Sequence, residues 1–262
     1  MARNATGPVT LTSLILPKLE PDIPLETALI DALSRKRVGL RKGDVVAVAS
    51  KVVSVCEGRL VPLNRVHVSS KARHLARKWR MDARLVQLVI QEAEEVLGGV
   101  KGFILTTKNG ILTANAGIDL KNAPPGTAVL WPSSPDRSAE QIRRRLGRHF
   151  KTRIGVIIVD SRVTPMRLGT VGIAIGISGF IPIRDERGKA DLYGRSVKVT
   201  QTNLADDLAA SAHMLMGETV ERAGAVIVRN SQVLRRTSLN SAVLKLGRSK
   251  CLIASNLGSL QR

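Results

Sequence analysis

Apolar and polar positions alternate in short blocks along this chain, and the blocks follow one another without linkers, repeats or low-complexity segments. "VTLTSLILP" near the start reads as a strand, and "PLETALIDALSRKR" after it has helical spacing. "KGD" then turns the chain into a second strand, "VVAVAS". From Ser70 to Val96 the spacing predicts one long helix with Trp79, Leu85 and Leu88 on its apolar side, ended by "GGVKG". In "FILTTKNGILTA", Asn109-Gly110 between two β-rich runs predicts a tight hairpin. "QIRRRLGRHFKTR", residues 141–153, has Ile142, Leu146 and Phe150 at four-residue intervals, so a helix with one buried stripe is expected, its arginine face either solvated or in contact with phosphate or nucleic acid. "RIGVIIVDSR" is a buried-strand run from Ile154 to Val159, ending in Asp160 and Ser161. Further on, Leu204, Leu208, Ala212 and Leu215 have helical spacing, with Gly217 as the stop and Glu218 just beyond it.

Three polar interruptions of this pattern are candidates for chemistry. "TANAGIDLKNAPPG" places Asn115, Asp119 and Asn122 where the second hairpin strand leaves its sheet. Such side chains can converge on a ligand, or Asn115 and Asp119 can simply cap a turn. Asp160 with Ser161 at the carboxyl end of a buried strand suits a hard divalent cation, and equally a helix cap. Glu218 is the third acid at an element's end, whereas Asp206 and Asp207 are explained by the first turn of their helix. The glycines Gly169, Gly172, Gly176 and Gly179 permit close backbone approach, bulges or tight packing, and they do not form a Walker loop.

Composition changes the picture in two ways. At 262 residues and 44% hydrophobic, the chain can bury a sizeable core. No stretch approaches about 18 uninterrupted apolar residues and "MARNATGPVT" lacks the apolar middle of a secretory signal, so a soluble cytoplasmic protein is expected. Cys56 and Cys251 are too few and too distant for a disulfide framework or a zinc cluster. Lys and Arg number 41 against 21 Asp and Glu, a formal +20. That excess attracts nucleic acid, nucleotide phosphates or polycarboxylates. An aromatic content of 2% argues against stacking on single strands and leaves duplex or RNA-backbone binding untouched.

The ordered stretches "ASKVVSVCEGR", "NAGIDLKN", "VDSRVTPMRLGTVGIAIG" and "KADLYGRSVKVTQTNLADDLAASAHMLMGE" resemble the coenzyme F420-0:γ-glutamyl ligase family, from about Leu16 to Asn230. The resemblance implies an α+β fold with mixed sheets and flanking helices. It also implies one catalytic unit over 1–262, built of one or two intertwined subdomains, and an intertwined homodimer. Its activity would be GTP-dependent amide ligation of L-glutamate to the lactyl carboxylate of a deazaflavin precursor, F420-0. Later additions would be γ-linked, each through an acyl phosphate. Asp119, Asp160, Ser161 and Glu218 become ligands to Mg²⁺ or Mn²⁺, with K⁺ as a further candidate. Pro17, Ser50, Lys51, Asn122 and the segment Met216, Gly217, Glu218, Thr219, Val220, Glu221, Arg222 and Ala223 become nucleotide contacts. The oxygen-only donor set agrees with a hard cation and not with zinc.

Two departures bear on the acceptor. Val55 stands where the family pattern has a nucleotide-contacting lysine, and Val163 and Thr164 replace Gly-Arg in "DSRVTPMR", leaving Lys51, Arg162 and Arg167 to supply charge. Two other readings therefore stand beside the ligase: a ligase of the same family acting on another carboxylate, and a non-catalytic basic nucleic-acid-binding protein.

Overall fold

The β-branched runs become strands of one central sheet in the computed structural model, which describes residues 7–21, 23–219, 221–231, 233 and 239–257. In chain order the elements are β1 (Thr10–Leu14), α1 (Leu25–Arg35), β2 (Val45–Ala49), α2 (Ser50–Cys56), β3 (Leu60–Pro62), α3 (Ser70–Trp79), α4 (Ala83–Glu92), β4 (Glu95–Val100), β5 (Phe103–Lys108), β6 (Ile111–Ala114) and β7 (Thr127–Val129). There follow α5 (Pro135–His149), β8 (Gly155–Val163), β9 (Thr170–Ser178), β10 (Ile183–Asp185), β11 (Gln201–Asn203), α6 (Leu204–Met216) and β12 (Ala225–Arg229). Mixed sheets with flanking helices make this an α+β arrangement, as expected.

The central sheet has the order β1-β12-β2-β8-β9, with β2 and β8 parallel and the other pairings antiparallel. Alternate residues divide its faces. Val46, Val48, Val156, Ile158 and Ile227 pack with α1 and α5, while Val45, Ala47, Ile157, Val159 and Val228 pack with α6. Each valine or isoleucine among them, fully removed from water, contributes about 1.5–3 kcal/mol. On β9, a Cβ at Gly172 would lie 2.5 Å from the Ala209 carbonyl oxygen of α6, and one at Gly176 would lie 2.4 Å from Pro135. These two glycines therefore serve tight packing of helices on both faces. A third apolar cluster joins α3 and α4 to Ile104, Ile118 and Leu130.

The tract from Ser70 to Val96 is not one helix. Arg80 adopts left-handed geometry (φ 53°) and ends α3, and the Asp82 carboxylate accepts from the Arg84 N–H to cap α4. Glu95–Val100 is a strand because its backbone pairs with β5, and Gly99 is there to seat Trp79, 2.7 Å from where a Cβ would lie. The glycines expected to stop a helix thus belong to a strand. Asn109 (φ 51°) and Gly110 (φ 69°) form the predicted hairpin turn between β5 and β6.

Smaller differences follow the same logic. β8 continues past Asp160 and Ser161 to Val163, because β9 keeps pairing with it after β2 has ended at Ala49. On α6 the buried positions are Ala205, Leu208, Ala209, Ala212 and Met216, and Leu215 is exposed, since small residues let the helix approach Gly172. On α5, Ile142 and Leu146 are buried as expected and Phe150 lies just past the helix end, but the arginine face is only partly solvated: Arg143 binds Glu140 and Ser178. Beyond β12, Ser241 donates through N–H and Oγ to Asp136 (3.0 and 2.8 Å), and Arg248 pairs with Glu95. Among the described residues no helix is long and apolar enough to cross a membrane.

Candidate active site

β2 leaves the sheet at Ala49, and the chain turns at once into α2, which begins with Ser50 and Lys51. The Ser50 hydroxyl, almost fully buried, donates to Asp160 Oδ1 (2.7 Å) on the neighbouring parallel strand. Trp131 Nε1–H donates to Asp160 Oδ2 (2.6 Å). Burial pushes the Asp160 carboxyl above its ordinary value, and the hydrogen bonds from Ser50, Trp131 and the Ser161 backbone, with the charge of Lys51, only partly offset it. Ser161 leaves the opposite face: Asp160 is paired with Ile173 on the α1/α5 side, and Ser161 with Gly172, beneath His213 of α6.

Lys51 Nζ donates to Asp119 Oδ2 (2.7 Å), and the Lys121 N–H to Asp119 Oδ1 (2.8 Å). Burial opposes ionisation of Asp119, but these donors together outweigh it and hold the carboxyl below its ordinary value. Its backbone is fixed by exchanged hydrogen bonds with Val129 (3.0 and 2.8 Å). Lys121 Nζ reaches Glu218 Oε2 (3.2 Å), and His213 Nε2 lies 2.9 Å from Glu218 Oε1. Burial again opposes ionisation of Glu218, yet His213 and Lys121 leave its carboxyl lowered. Asn122 Nδ2 donates to the Thr219 carbonyl (3.0 Å).

The segment after α6 is tied to the same corner. Gly217 (φ 71°) turns the chain out of the helix, Thr219 N–H donates to Glu221 (2.7 Å), and the Arg222 carbonyl accepts from Leu16 N–H (3.1 Å), beside Pro17. Ala49 N–H donates to the Gly224 carbonyl (3.0 Å), which brings buried Ala223 next to the start of α2. The 216–223 segment and the turn at Pro17 thus adjoin each other and the start of α2; Val220 lies outside the described residues.

A single chain of contacts thus runs Asp160–Ser50–Lys51–Asp119–Lys121–Glu218–His213. Ammonium groups alternate with carboxylates along it. Among the described residues no three His, Cys, Asp or Glu side chains come close enough together to hold a metal ion. Arg162 adds a buried Nε without a hydrogen-bond partner in the described structure. Burial, followed by Glu26 and Glu57, raises the Cys56 thiol to about 11, so it is an inert packing group.

Asn115 serves the fold alone, because its Oδ1 accepts from Ile104 N–H (2.9 Å). Three successive residues, Asn115, Ala116 and Gly117, have φ of 52°, 53° and 72°. A Cβ at Gly117 would lie 2.1 Å from Trp131 Nε1, so the glycine of this motif makes room for the indole that binds Asp160. Trp131, Lys121 and His213 are site residues that the sequence patterns do not single out. For Trp131 the available signal is that glycine.

The F420-0:Gamma-glutamyl ligase family model matches residues 13–230. Coenzyme F420:L-glutamate ligase of Methanopyrus kandleri is 41% identical over 218 residues, 81% of this chain and 86% of that protein. Its namesake in Archaeoglobus fulgidus is 41% identical over 207 residues, 79% of this chain and 83% of that one. The Methanocaldococcus jannaschii protein of the same name is 40% identical over 195 residues, 74% and 78% of the two chains. Running from the end of β1 through β12, and so across Asp119, Asp160 and Glu218, this likeness shows that the chain belongs to the F420-0:γ-glutamyl ligase family.

Proposed function

We propose that this chain is a ligase that joins L-glutamate to the deazaflavin precursor F420-0, at the lactyl carboxylate, with GTP as the energy source. The observation that carries the reading is the contact chain from Asp160 to His213, which gathers the acids of three separate elements at one corner of the sheet. The relatives' name speaks of coenzyme F420 and L-glutamate and the family description of F420-0; attachment at the lactyl carboxylate is our reading. Transfer of the terminal phosphoryl group to the carboxylate gives an acyl phosphate, which an amine can attack, while a bare carboxylate has too poor a leaving group.

The residues of this chain divide the work. Lys51 favours the charged form of Asp119, His213 and Lys121 that of Glu218, and Ser50 and Trp131 hold Asp160 in one orientation. Asn122 ties the 216–223 segment to the 119–122 turn, so nucleotide contacts from both sides would be set together. Asp119, Asp160, Ser161 and Glu218 would hold Mg²⁺ or Mn²⁺, with K⁺ as a further candidate. The fit rests on their oxygen chemistry and on Asp160, a partly buried carboxylate whose hydrogen-bond donors are all neutral. Bound there, a divalent cation supplies charge neutralisation for the phosphates.

We read the chain as one catalytic unit that works as a homodimer in the cytoplasm. Met166 and Leu168 between β8 and β9, and Leu192, Tyr193 and Val199 before β11, are almost wholly exposed, which suits cover by a second copy. The free thiols of Cys56 and Cys251 suit a reducing compartment. A second reading, another carboxylate acceptor, is favoured by Val55, Val163 and Thr164. Purified protein incubated with Mn²⁺, GTP, glutamate and F420-0 should yield a product heavier by one glutamyl residue, with GDP and phosphate in equal amount. GTP cleavage that needs a different carboxylic acid would favour the second reading, and no cleavage under any acceptor would sink both.

A further inference from the structure

The parallel pair β2 and β8 has two ends. The candidate site lies beyond Ala49 and Val159; the other end, before Val45 and Gly155, is made by the loop 36–43 and the turn that follows α5. Gly43 N–H donates to the Arg153 carbonyl (3.2 Å) and Gly155 N–H to that of Asp44 (2.9 Å), which fastens the two segments side by side. Arg37 and Arg41 line a shallow depression of about 420 Å³, and Lys42, Lys151 and Arg153 line another of about 380 Å³. With Arg148 these residues are exposed, and none of the six makes an ion pair among the described residues. Residues 36–43 and 141–154 contain no acid at all. The bordering acids are already engaged, Asp44 by Arg229 and Glu140 by Arg143 and Arg144.

We propose that this pole binds the phosphate backbone of a nucleic-acid duplex. Steering of small anions to the candidate site does not account for it. The five residues of β2 separate the two ends by about 16 Å, whereas exposed charges are largely screened beyond about 8 Å at physiological salt. Unpaired strands need aromatic platforms, and the two segments offer only the half-buried Phe150 with the His149 ring set edge-on against it. A membrane surface needs apolar side chains to insert, and neither segment has a large exposed one. Five unpaired cations on two adjoining depressions, with Arg148 beside them, match a rigid array of phosphates, which they can engage by counterion release without breaking any ion pair.

The test is fluorescence anisotropy of the full chain with labelled 20-base-pair RNA and DNA duplexes over a salt series. The wild type should bind, with log affinity falling linearly in log salt. Arg41→Gln/Lys42→Gln/Lys151→Gln should lose roughly tenfold or more in affinity, and its slope should be shallower by about 3. A variant with the same charge change on exposed α3, Lys71→Gln/Arg73→Gln/Arg77→Gln, should bind like the wild type. Tighter binding of either duplex supports the proposal and names the source of the phosphates. Absence of wild-type binding at 0.1 M salt, equal loss in the α3 variant, or equally tight binding to phosphatidylserine vesicles would overturn it. Glutamyl transfer by the pole variant should equal that of the wild type, and its loss would assign these cations to catalysis instead.

Discussion

Asp44 and Asp160 stand at opposite ends of the parallel pair and meet burial in opposite ways. Asp44 is 1% exposed, and its oxygens take Arg229 Nε (2.9 Å) and Nη2 (2.8 Å) and the Arg41 N–H (2.8 Å). Asp160 receives Ser50 and Trp131, both neutral, while the nearby ammonium of Lys51 is bonded to Asp119. One charge is closed within the fold, and the other is left for something to be added. Burial raises the Asp160 carboxyl above its ordinary value, so what it contributes to stability is fully present below pH 3.8 and is lost as pH rises through its higher folded-state value. That contrast is what singles out Asp160 for the ligand role proposed for it.

Substitutions can break this contrast. Asp44→Ala should destabilise the fold by about 3 kcal/mol, near the lower end of the range for breaking a buried pair, because Arg229 retains contact with water. Urea denaturation would measure it. Asp160→Asn should change stability by less than about 1 kcal/mol, since an amide can still bond Ser50 and Trp131 without a desolvated charge. Glutamyl transfer should nevertheless fall about 10²-fold or more, and Mn²⁺-dependent GTP binding should disappear in calorimetry. Equal destabilisation by the two substitutions would remove the distinction between these acids.

Two further changes sharpen it. Val55 lies one helical turn after Lys51 and is partly exposed, so Val55→Lys adds a cation on the same side of α2 and should tighten GTP binding by about 1 kcal/mol. Weaker binding would mean that the pocket has been rebuilt around the apolar side chain. At the edge of the basic pole, Arg143, Ser178 and Arg144 hold the Glu140 carboxyl at about 2, against an ordinary 4.5. Its contribution is present above pH 4.5 and fades as pH falls toward 2, so Glu140→Gln should lower the melting temperature slightly at pH 7 and not at pH 2. An equal shift at both pH values would exclude the carboxylate as its source.

Much of the frame was legible because local rules and packing agree there. Asn109-Gly110 needs left-handed geometry and takes it, and the alternation in "VVAVAS" and "GVIIV" divides two real faces. The reading failed where a distant partner decides. Nothing within Ser70–Val96 announces that β5 will pair with Glu95–Val100, or that Gly99 seats Trp79. The site was readable as a set of acids at element ends, but its order was not. That Asp160 and Ser161 face opposite ways depends on β8 continuing beside β9, and that lysines alternate with the acids depends on contacts across 68 and 97 positions of sequence.

The place of β12 in the sheet has a consequence for synthesis. It lies between β1 and β2, yet it is the last described strand to leave the ribosome. The roughly 210 residues between β1 and β12 take about 10–40 s to emerge at 5–20 residues per second. Throughout that interval β1 has no strand to pair with, and β2 presents an open edge that another nascent chain could occupy. A chain interrupted before Ala225 would therefore lack the middle of its sheet and not its margin. Closure of the central sheet waits for its last described strand.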